Sequence, residues 1–354
     1  MNLPAVHAAG PDGGRAGAAD DVRPGSHPAS GTSRRAAPRS REEAPSHVAA
    51  SLAPMLTTRY APPERVSLAH VLAPLRQGRT DPTFRRDDVG WWLALGTPAG
   101  TATLRLRETA GAIEAAAWGS GAEHAIAGVP ELLGARDDAD GFDPSRHPVV
   151  AALHHRFPGL RLTRAARVMP FLVPTVLGQK VTGIEQKRAW RELVARHGAP
   201  APGPAPAGLR VAPTPAVWKR VPSWEWHRAG VGPQRSDTVM RAVAVGDALE
   251  RTAALEAAEA SRRLRTIPGI GVWTAAETVQ RSHGCSDSVS VGDFHVSKRV
   301  GWALTGARVD DDGMLELLEP WRGHRQRVVR LIEAAGIGYE RHGPRMTIVD
   351  NRRR

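Results

Sequence analysis

The sequence predicts an α+β fold, with a small antiparallel β-sheet followed by a mainly α-helical body. Three observations predict it. Between Gly90 and Trp118 apolar and polar residues alternate, with Gly-bearing turns between the runs. From Pro148 onward the apolar residues recur at helical spacing. Over residues 261–302, SRRLRTIPGIGVWTAAETVQRSHGCSDSVSVGDFHVSKRVGW, two helical runs meet at a Pro-Gly turn.

The 354 residues suffice for two domains and a long tail. A net charge of +12 and a sequence pI near 11.1 favour a polyanionic partner, and basic residues continue to the end in Asn351-Arg352-Arg353-Arg354. A genome that prefers Arg and Ala codons gives the same surplus, so charge alone does not identify the partner. The single cysteine, Cys285, excludes an internal disulfide and any four-cysteine metal or iron–sulfur site. It fits a reducing cytosol. No run of 18 apolar residues spans a membrane, and no charged stretch followed by an apolar core marks a signal peptide.

Residues 1–60 are rich in Ala, Gly, Pro, Ser and Arg without an apolar period, and are expected to be a disordered tail. Residues 61–147 should hold the sheet. Gly90 to Leu95 reads as a strand and Thr97-Pro98-Ala99-Gly100 as a turn. Ala102, Leu104 and Leu106 then alternate with Thr103, Arg105 and Arg107, and Ile113, Ala115 and Ala117 alternate toward Trp118. The pattern is that of a meander with one face covered, and a helix over 123–133 is placed to cover it. Trp91 and Trp92 read as sheet packing.

The helical body is expected over 148–338, with a basic tail over 339–354. Ile184 to His197 is an amphipathic helix, and Ala199 to Pro215 an extended Pro/Ala/Gly linker. Trp224 and Trp226 are two residues apart and cannot share a helical face, so one is core and the other half-exposed. Gly230 to Arg235 is a turn before a helix reaching Glu250, with Arg235 a solvated surface residue. Arg325, Arg327 and Arg330 make the last helix strongly basic.

The Pro-Gly turn carries the chemistry. Leu264 and Ile267 end one helix, and Pro268 cannot continue it. Gly269 and Gly271 permit a tight turn, and Thr274, Ala275 and Ala276 open the next helix. Bare backbone N–H groups at a helix N-terminus form an anion site, and a phosphate is the natural anion. The tetrapeptide alone is equally well a plain interhelical loop. Asp293, however, stands twenty residues after Trp273, at the start of another helical stretch. An isolated Asp there is a helix N-cap, and a carboxylate beside a sugar can also stabilise growing positive charge.

The two motifs at this separation resemble the helix-hairpin-helix-Gly/Pro-Asp superfamily of base-excision DNA glycosylases. Ile267-Pro268-Gly269-Ile270-Gly271-Val272-Trp273-Thr274-Ala275 resembles in particular the DNA-3-methyladenine glycosylase II branch. The resemblance covers roughly residues 62–336. It extends to Leu177-Gly178-Gln179-Lys180-Val181, similar to the family's minor-groove turn, and to Pro320-Trp321-Arg322.

The resemblance implies a small sheet domain before a two-lobed helical body, and a monofunctional hydrolase of the DNA-3-methyladenine glycosylase II type acting on alkylated bases. Asp293 would be catalytic. Trp273 stands where bifunctional relatives carry a lysine, so no Schiff-base amine is available. Trp273 and Phe171 would line the base pocket, although Phe171 also reads as core. Gln179, Lys180, Gly269, Gly271, Lys298 and Arg299 would contact DNA, with Lys180 standing where relatives often place an apolar wedge. A monovalent cation held by the Ile267–Val272 carbonyls is common in the fold, and no cofactor is implied. The expected partner is damaged double-stranded DNA, engaged by a cytoplasmic, nucleoid-associated monomer that leaves the abasic product to an endonuclease. His295 stays outside the catalytic set, and Cys285 reads as inert. The segment after Pro320-Trp321-Arg322 lacks the pocket aromatics that alkylpurine enzymes often draw from it.

Two other readings compete. One is a cluster-free glycosylase of the endonuclease III or adenine-mismatch type, against which the missing lysine and cysteine quartet argue. The other is a non-catalytic hairpin module that only binds DNA, which needs no aspartate at this distance. A general nuclease would need a carboxylate cluster for metal, and none surrounds the hairpin.

Overall fold

The computed structural model describes residues 55–339. The expected tails at 1–60 and 339–354 lie almost entirely outside that range. One part of the first does not. Leu56–Tyr60, assigned by composition to the tail, forms a strand. Five antiparallel strands make the sheet, β1 Leu56–Tyr60, β2 Phe84–Arg86, β3 Trp91–Thr97, β4 Gly100–Thr109 and β5 Ala112–Trp118, in the order β1-β5-β4-β3-β2. The two-residue periodicity fixes the register. Leu104 lies between Leu93 and Ala117, and Leu106 between Trp91 and Ala115, so all the inward residues share one face.

Helices α1 (Leu68–Leu72), α2 (Ala122–Ala127) and α3 (Val129–Leu132) cover that face. The helix expected over 123–133 is broken because Gly128 ends one segment and Pro130 begins the next. The other face is covered as well. Trp92 stacks on Trp118 at 5.8 Å, Arg105 lies over both rings, and Leu209 and Val211 pack against them. The Ala199–Pro215 stretch is therefore not a free linker. It forms a short ribbon, Ala199–Pro200 with Arg210–Val211, held against the sheet, and the Thr103 hydroxyl donates to Pro202 O at 2.7 Å.

The helical body has two lobes, each with its own core. The first is built from α5 (Met169–Leu177), α6 (Gly183–His197), α7 (Pro215–Trp218), α8 (Ser223–Arg228), α9 (Pro233–Ala244), α10 (Gly246–Arg251), α11 (Ala257–Leu264) and α12 (Val272–Ser282). The second joins α4 (Pro148–Arg156) to α13 (Val296–Thr305), α14 (Asp311–Leu318) and α15 (Arg325–Ala334). A reciprocal Thr182–Glu185 capping box starts α6. Of the tryptophan pair, Trp226 is core and Trp224 is 68% exposed. The helix expected to reach Glu250 breaks at Val245. Arg235 is not a solvated residue. Its guanidinium donates to Leu177 O and Gly230 O, and burial holds its pKa below the usual arginine value. Asp81, fully buried, accepts from Trp190 Nε1, Thr83 and Gln77 N and ties the sheet to the first lobe. No helix of the described residues is long and apolar enough to cross a membrane.

Candidate active site

The hairpin turn between α11 and α12 buries Ile267 and Ile270 and leaves Pro268, Gly269 and Gly271 exposed. Only one of its glycines is required by backbone conformation. Gly269 has φ +96°, and a Cβ there would stand 2.3 Å from the buried Thr238 hydroxyl. Gly271 is extended at φ −92° as the N-cap of α12, and a Cβ there would meet nothing within 4 Å. It leaves the backbone bare at the N-terminus of α12, a geometry that suits an anion. Among the described residues, no hydrogen bond takes the N–H of Gly269, Gly271 or Trp273. The two alanine variants should therefore separate. Gly269→Ala is expected to lose about 1–3 kcal/mol of stability, read by urea unfolding. Gly271→Ala should unfold as wild type does and bind duplex DNA more weakly.

Gln179 does not project outward. Its Nε2 donates to Gly269 O at 2.8 Å and to Thr274 Oγ1 at 2.9 Å, so it braces the hairpin from the α5–α6 turn. The outward residue of that turn is Lys180, exposed at φ +55°, a conformation uncommon outside glycine. Ile184, one helical turn on, is 68% exposed and was not singled out from the sequence. A large apolar side chain in the first turn of an amphipathic helix was the available signal.

Several of the hairpin carbonyls expected to hold a monovalent cation also accept one hydrogen bond from within the protein. Within Ile267–Val272, Ile267 O accepts from Ile270 N, Pro268 O from Arg241 Nη1, Gly269 O from Gln179 and Gly271 O from Ala275 N.

Asp293 is half-buried at the entry to α13. Its Oδ1 accepts from the backbone N–H of His295 at 2.8 Å and of Val296 at 3.0 Å, while Oδ2 accepts from Trp273 Nε1 at 3.1 Å. The capping role and a carboxylate at the cavity therefore coexist on one residue. A carboxylate offers about four acceptor positions. Three are filled here, which holds the group rigidly and leaves room for one more donor. Trp273 is not a wall of the cavity. It joins the hairpin to the carboxylate across the twenty residues between them. Removing this donor by Trp273→Phe is expected to slow base release about tenfold, or ~1.4 kcal/mol, with duplex affinity intact.

Asp293 and His295 stand at the edge of a cavity of about 370 Å³ between α12, α13 and α15, closed on one side by residues 73–76. Phe171, the other residue expected at the base pocket, is 4% exposed and belongs to the core beneath the sheet. Arg299 faces this cavity and α15, where it pairs with Glu333. Lys298 donates to Phe294 O and sits 3.6 Å over the Phe294 ring, which is 72% exposed beside Asp293. The cavity wall holds polar groups already engaged with one another. Glu277 is bound by Arg281 and Ser290, Glu333 by Arg299 and Arg330, and Gln280 donates to Ser288 O and Ser290 Oγ. The basic face expected on α15 is thus largely spent inside the protein, since Arg325 pairs with Asp287 and Arg327 with Asp137. Cys285 also lines the cavity. Burial raises its thiol pKa, in keeping with an inert side chain. His295 Nδ1 lies 2.7 Å from Tyr339 Oη.

No family model and no curated protein matches this chain by sequence. Solved structures match it throughout the described region. A 3-methyladenine DNA-glycosylase from Archaeoglobus fulgidus superposes with a TM-score of 0.63 at 14% identity, covering 78% of this chain and 97% of that one. The fold is that of DNA glycosylases. The 8-oxoguanine glycosylase/lyase of Clostridium acetobutylicum gives 0.57 in complex with DNA and 0.59 in its apo form, each at 14% identity. These cover 77% and 76% of this chain and 93% of theirs. At 14% identity the likeness is one of fold, and the site residues are argued from this chain itself.

Proposed function

We propose that this protein is a monofunctional DNA N-glycosylase, and that Asp293 drives hydrolysis of the bond between a flipped base and its deoxyribose. The observation that carries the reading is the position of Asp293. The carboxylate is fixed by three donors, stands at the rim of a cavity of base-compatible size, and is joined through Trp273 to an exposed hairpin with free N–H groups. The hairpin would grip a phosphate and fix the strand without reading sequence. Lys180 and Ile184 are placed to fill the gap left by the flipped base, with Gln179 bracing the turn behind them.

The reaction follows from the geometry. The glycosidic bond breaks with its electron pair passing to the base nitrogen, and positive charge grows on the sugar. A preorganised carboxylate stabilises that charge without reorganising. Water adds to the anomeric carbon as its proton passes to Asp293 or to solvent. An alkylated purine is already cationic and departs neutral, so Asp293, a carboxylate outside the ion pairs of the cavity wall, can serve it without a general acid. N3-alkylated purines, 3-methyladenine first, are the substrates this reading selects. The protein would work as a monomer on damaged duplex, and its abasic product would require a separate strand-cleaving enzyme.

The test is chromatography of bases released from methylated, deaminated and oxidised duplexes. The expected result is release of 3-methyladenine from a strand that stays whole until alkali, with no adduct trapped by borohydride. Strand scission without alkali, or a trapped adduct, would contradict the monofunctional assignment.

A further inference from the structure

Four cations gather beside the α5–α6 turn. Counting from Ile184, α6 carries Lys187, Arg188 and Arg191 three, four and seven residues on, which is one stripe of a helix. Lys187 and Arg191 are exposed, and Arg188 is half-buried with its Nε unpartnered. Arg79, also exposed, joins them from the loop before β2. Lys187 lays its stem across Gly78, where a Cβ would stand 2.8 Å from Lys187 Cδ, and Arg191 Nη1 donates to Thr80 Oγ1 at 3.2 Å. The loop is firmly seated on α6. Arg76 Nη2 donates to Arg79 O, Gln186 Nε2 donates to Gln77 Oε1, and Asp81 accepts from Gln77 N and Trp190 Nε1.

The carboxylates of these elements are already taken. Glu185 serves the Thr182 cap, Glu192 pairs with Arg196, and Asp81 is fully buried. Among the described residues, none of the four cations forms an ion pair. The arginines of α11 and α15 differ, being matched to Glu259, Asp287, Asp137 and Glu333. Lys187 and Arg191 even stand at i and i+4, where like charges disfavour the helix.

We infer that Arg79, Lys187, Arg188 and Arg191 bind phosphates of the undamaged strand, so that the protein holds both strands of its duplex. The patch is strongly positive, and a phosphate backbone is the anion that fits an extended row of cations. Its place selects the strand. The α5–α6 turn is tied to the hairpin through Gln179, and the hairpin and Asp293 would take the damaged strand. Lys180 and Ile184 stand at the gap, and the stripe continues from Ile184 along α6 toward the sheet domain. From Ile184 to Arg191 the helix advances about 10 Å, the axial rise of about three nucleotides. Such contacts fix the register of the duplex without reading its sequence. A duplex should therefore bind more tightly than the damaged strand alone.

This inference rests on the glycosylase reading for which strand is damaged, and the two are tested so that they can fail separately. Affinity is measured over a range of KCl for a methylated duplex and for its methylated strand alone. Two further duplexes carry uncharged methylphosphonates in one strand or the other. The double variant Arg79→Gln with Lys187→Gln changes exposed side chains, and thermal unfolding checks its fold. Its duplex affinity should fall at least tenfold at low salt, and its salt slope should drop by about 1.8, or about 0.9 per phosphate. Its affinity for the single strand should stay within twofold of wild type. Neutralising the undamaged strand should weaken wild type and leave the double variant little changed, whereas neutralising the methylated strand should weaken both alike. The neutralised duplexes test wild type without any substitution. Equal loss on duplex and single strand, or no loss on either, would overturn the second track. So would a wild type indifferent to neutralisation of the undamaged strand. Base release is scored in the same samples. Protein that shows the two-strand pattern and frees no base keeps the track and loses the glycosylase, and normal release without the pattern does the reverse.

Discussion

Asp293→Asn is expected to abolish base release, slowing it by three orders of magnitude or more, while duplex affinity stays within a few-fold of wild type. An amide keeps the shape and one acceptor oxygen. That oxygen can still cap α13 by accepting from His295 N and Val296 N. What is lost is the negative charge beside the sugar, and electrostatic groups of this kind supply about 2.7–4 kcal/mol or more of transition-state stabilisation each. A carboxylate held outside the ion pairs of the cavity wall should stand at the upper end. The variant therefore separates the two roles, because a mere helix cap would lose at most about 1 kcal/mol of stability and no specific activity. If Asp293→Asn released base at a tenth of the wild-type rate, the carboxylate would not be the catalytic group.

The second large effect falls on stability. Arg327→Ala should destabilise the protein by about 3–5 kcal/mol, because it leaves a buried carboxylate without its partner. Arg327 Nη1 and Nη2 meet the Asp137 oxygens at 2.9 and 2.6 Å, and Nη2 also donates to Asp138 O. The two side chains are 4% and 1% exposed. Asp137 in turn accepts from Leu162 N, so the pair pins the loop after α3 and the strand of chain before α5 to α15. Replacing both partners, Arg327→Met with Asp137→Leu, should recover much of the loss but leave Leu162 N unsatisfied, a remaining cost of about 1–3 kcal/mol. Urea unfolding of the three variants measures this directly. A loss under 1 kcal/mol for Arg327→Ala would mean that water reaches the pair.

These residues also show where sequence reasoning works and where it stops. The β3–β5 meander was legible within two residues because a two-residue period marks each strand and its inward face at once. The hairpin and Asp293 were legible because both are short motifs at a fixed separation, and the structure joins them by a single bond from Trp273. The covering of the second sheet face was not legible. Leu209 and Val211 lie in a Pro-, Ala- and Gly-rich stretch whose burial depends on the remote Trp92–Trp118 stack. The arginines of α15 misled for the same reason. Local sequence shows a basic helix, but the partners Asp287 and Asp137 lie 38 and 190 positions away. Phe171 reads as either core or pocket in a uniformly apolar run, and only its packing beneath the sheet decides between them.

Single-turnover base release from methylated duplex, with wild type and Asp293→Asn compared at saturating and equal occupancy of DNA, tests the role of the carboxylate. Wild type should free 3-methyladenine and leave alkali-labile, uncut strands, while the variant should occupy the same duplex and free none above the uncatalysed rate. Wild-type protein that saturates methylated duplex and releases no base, or a variant as active as wild type, would contradict it.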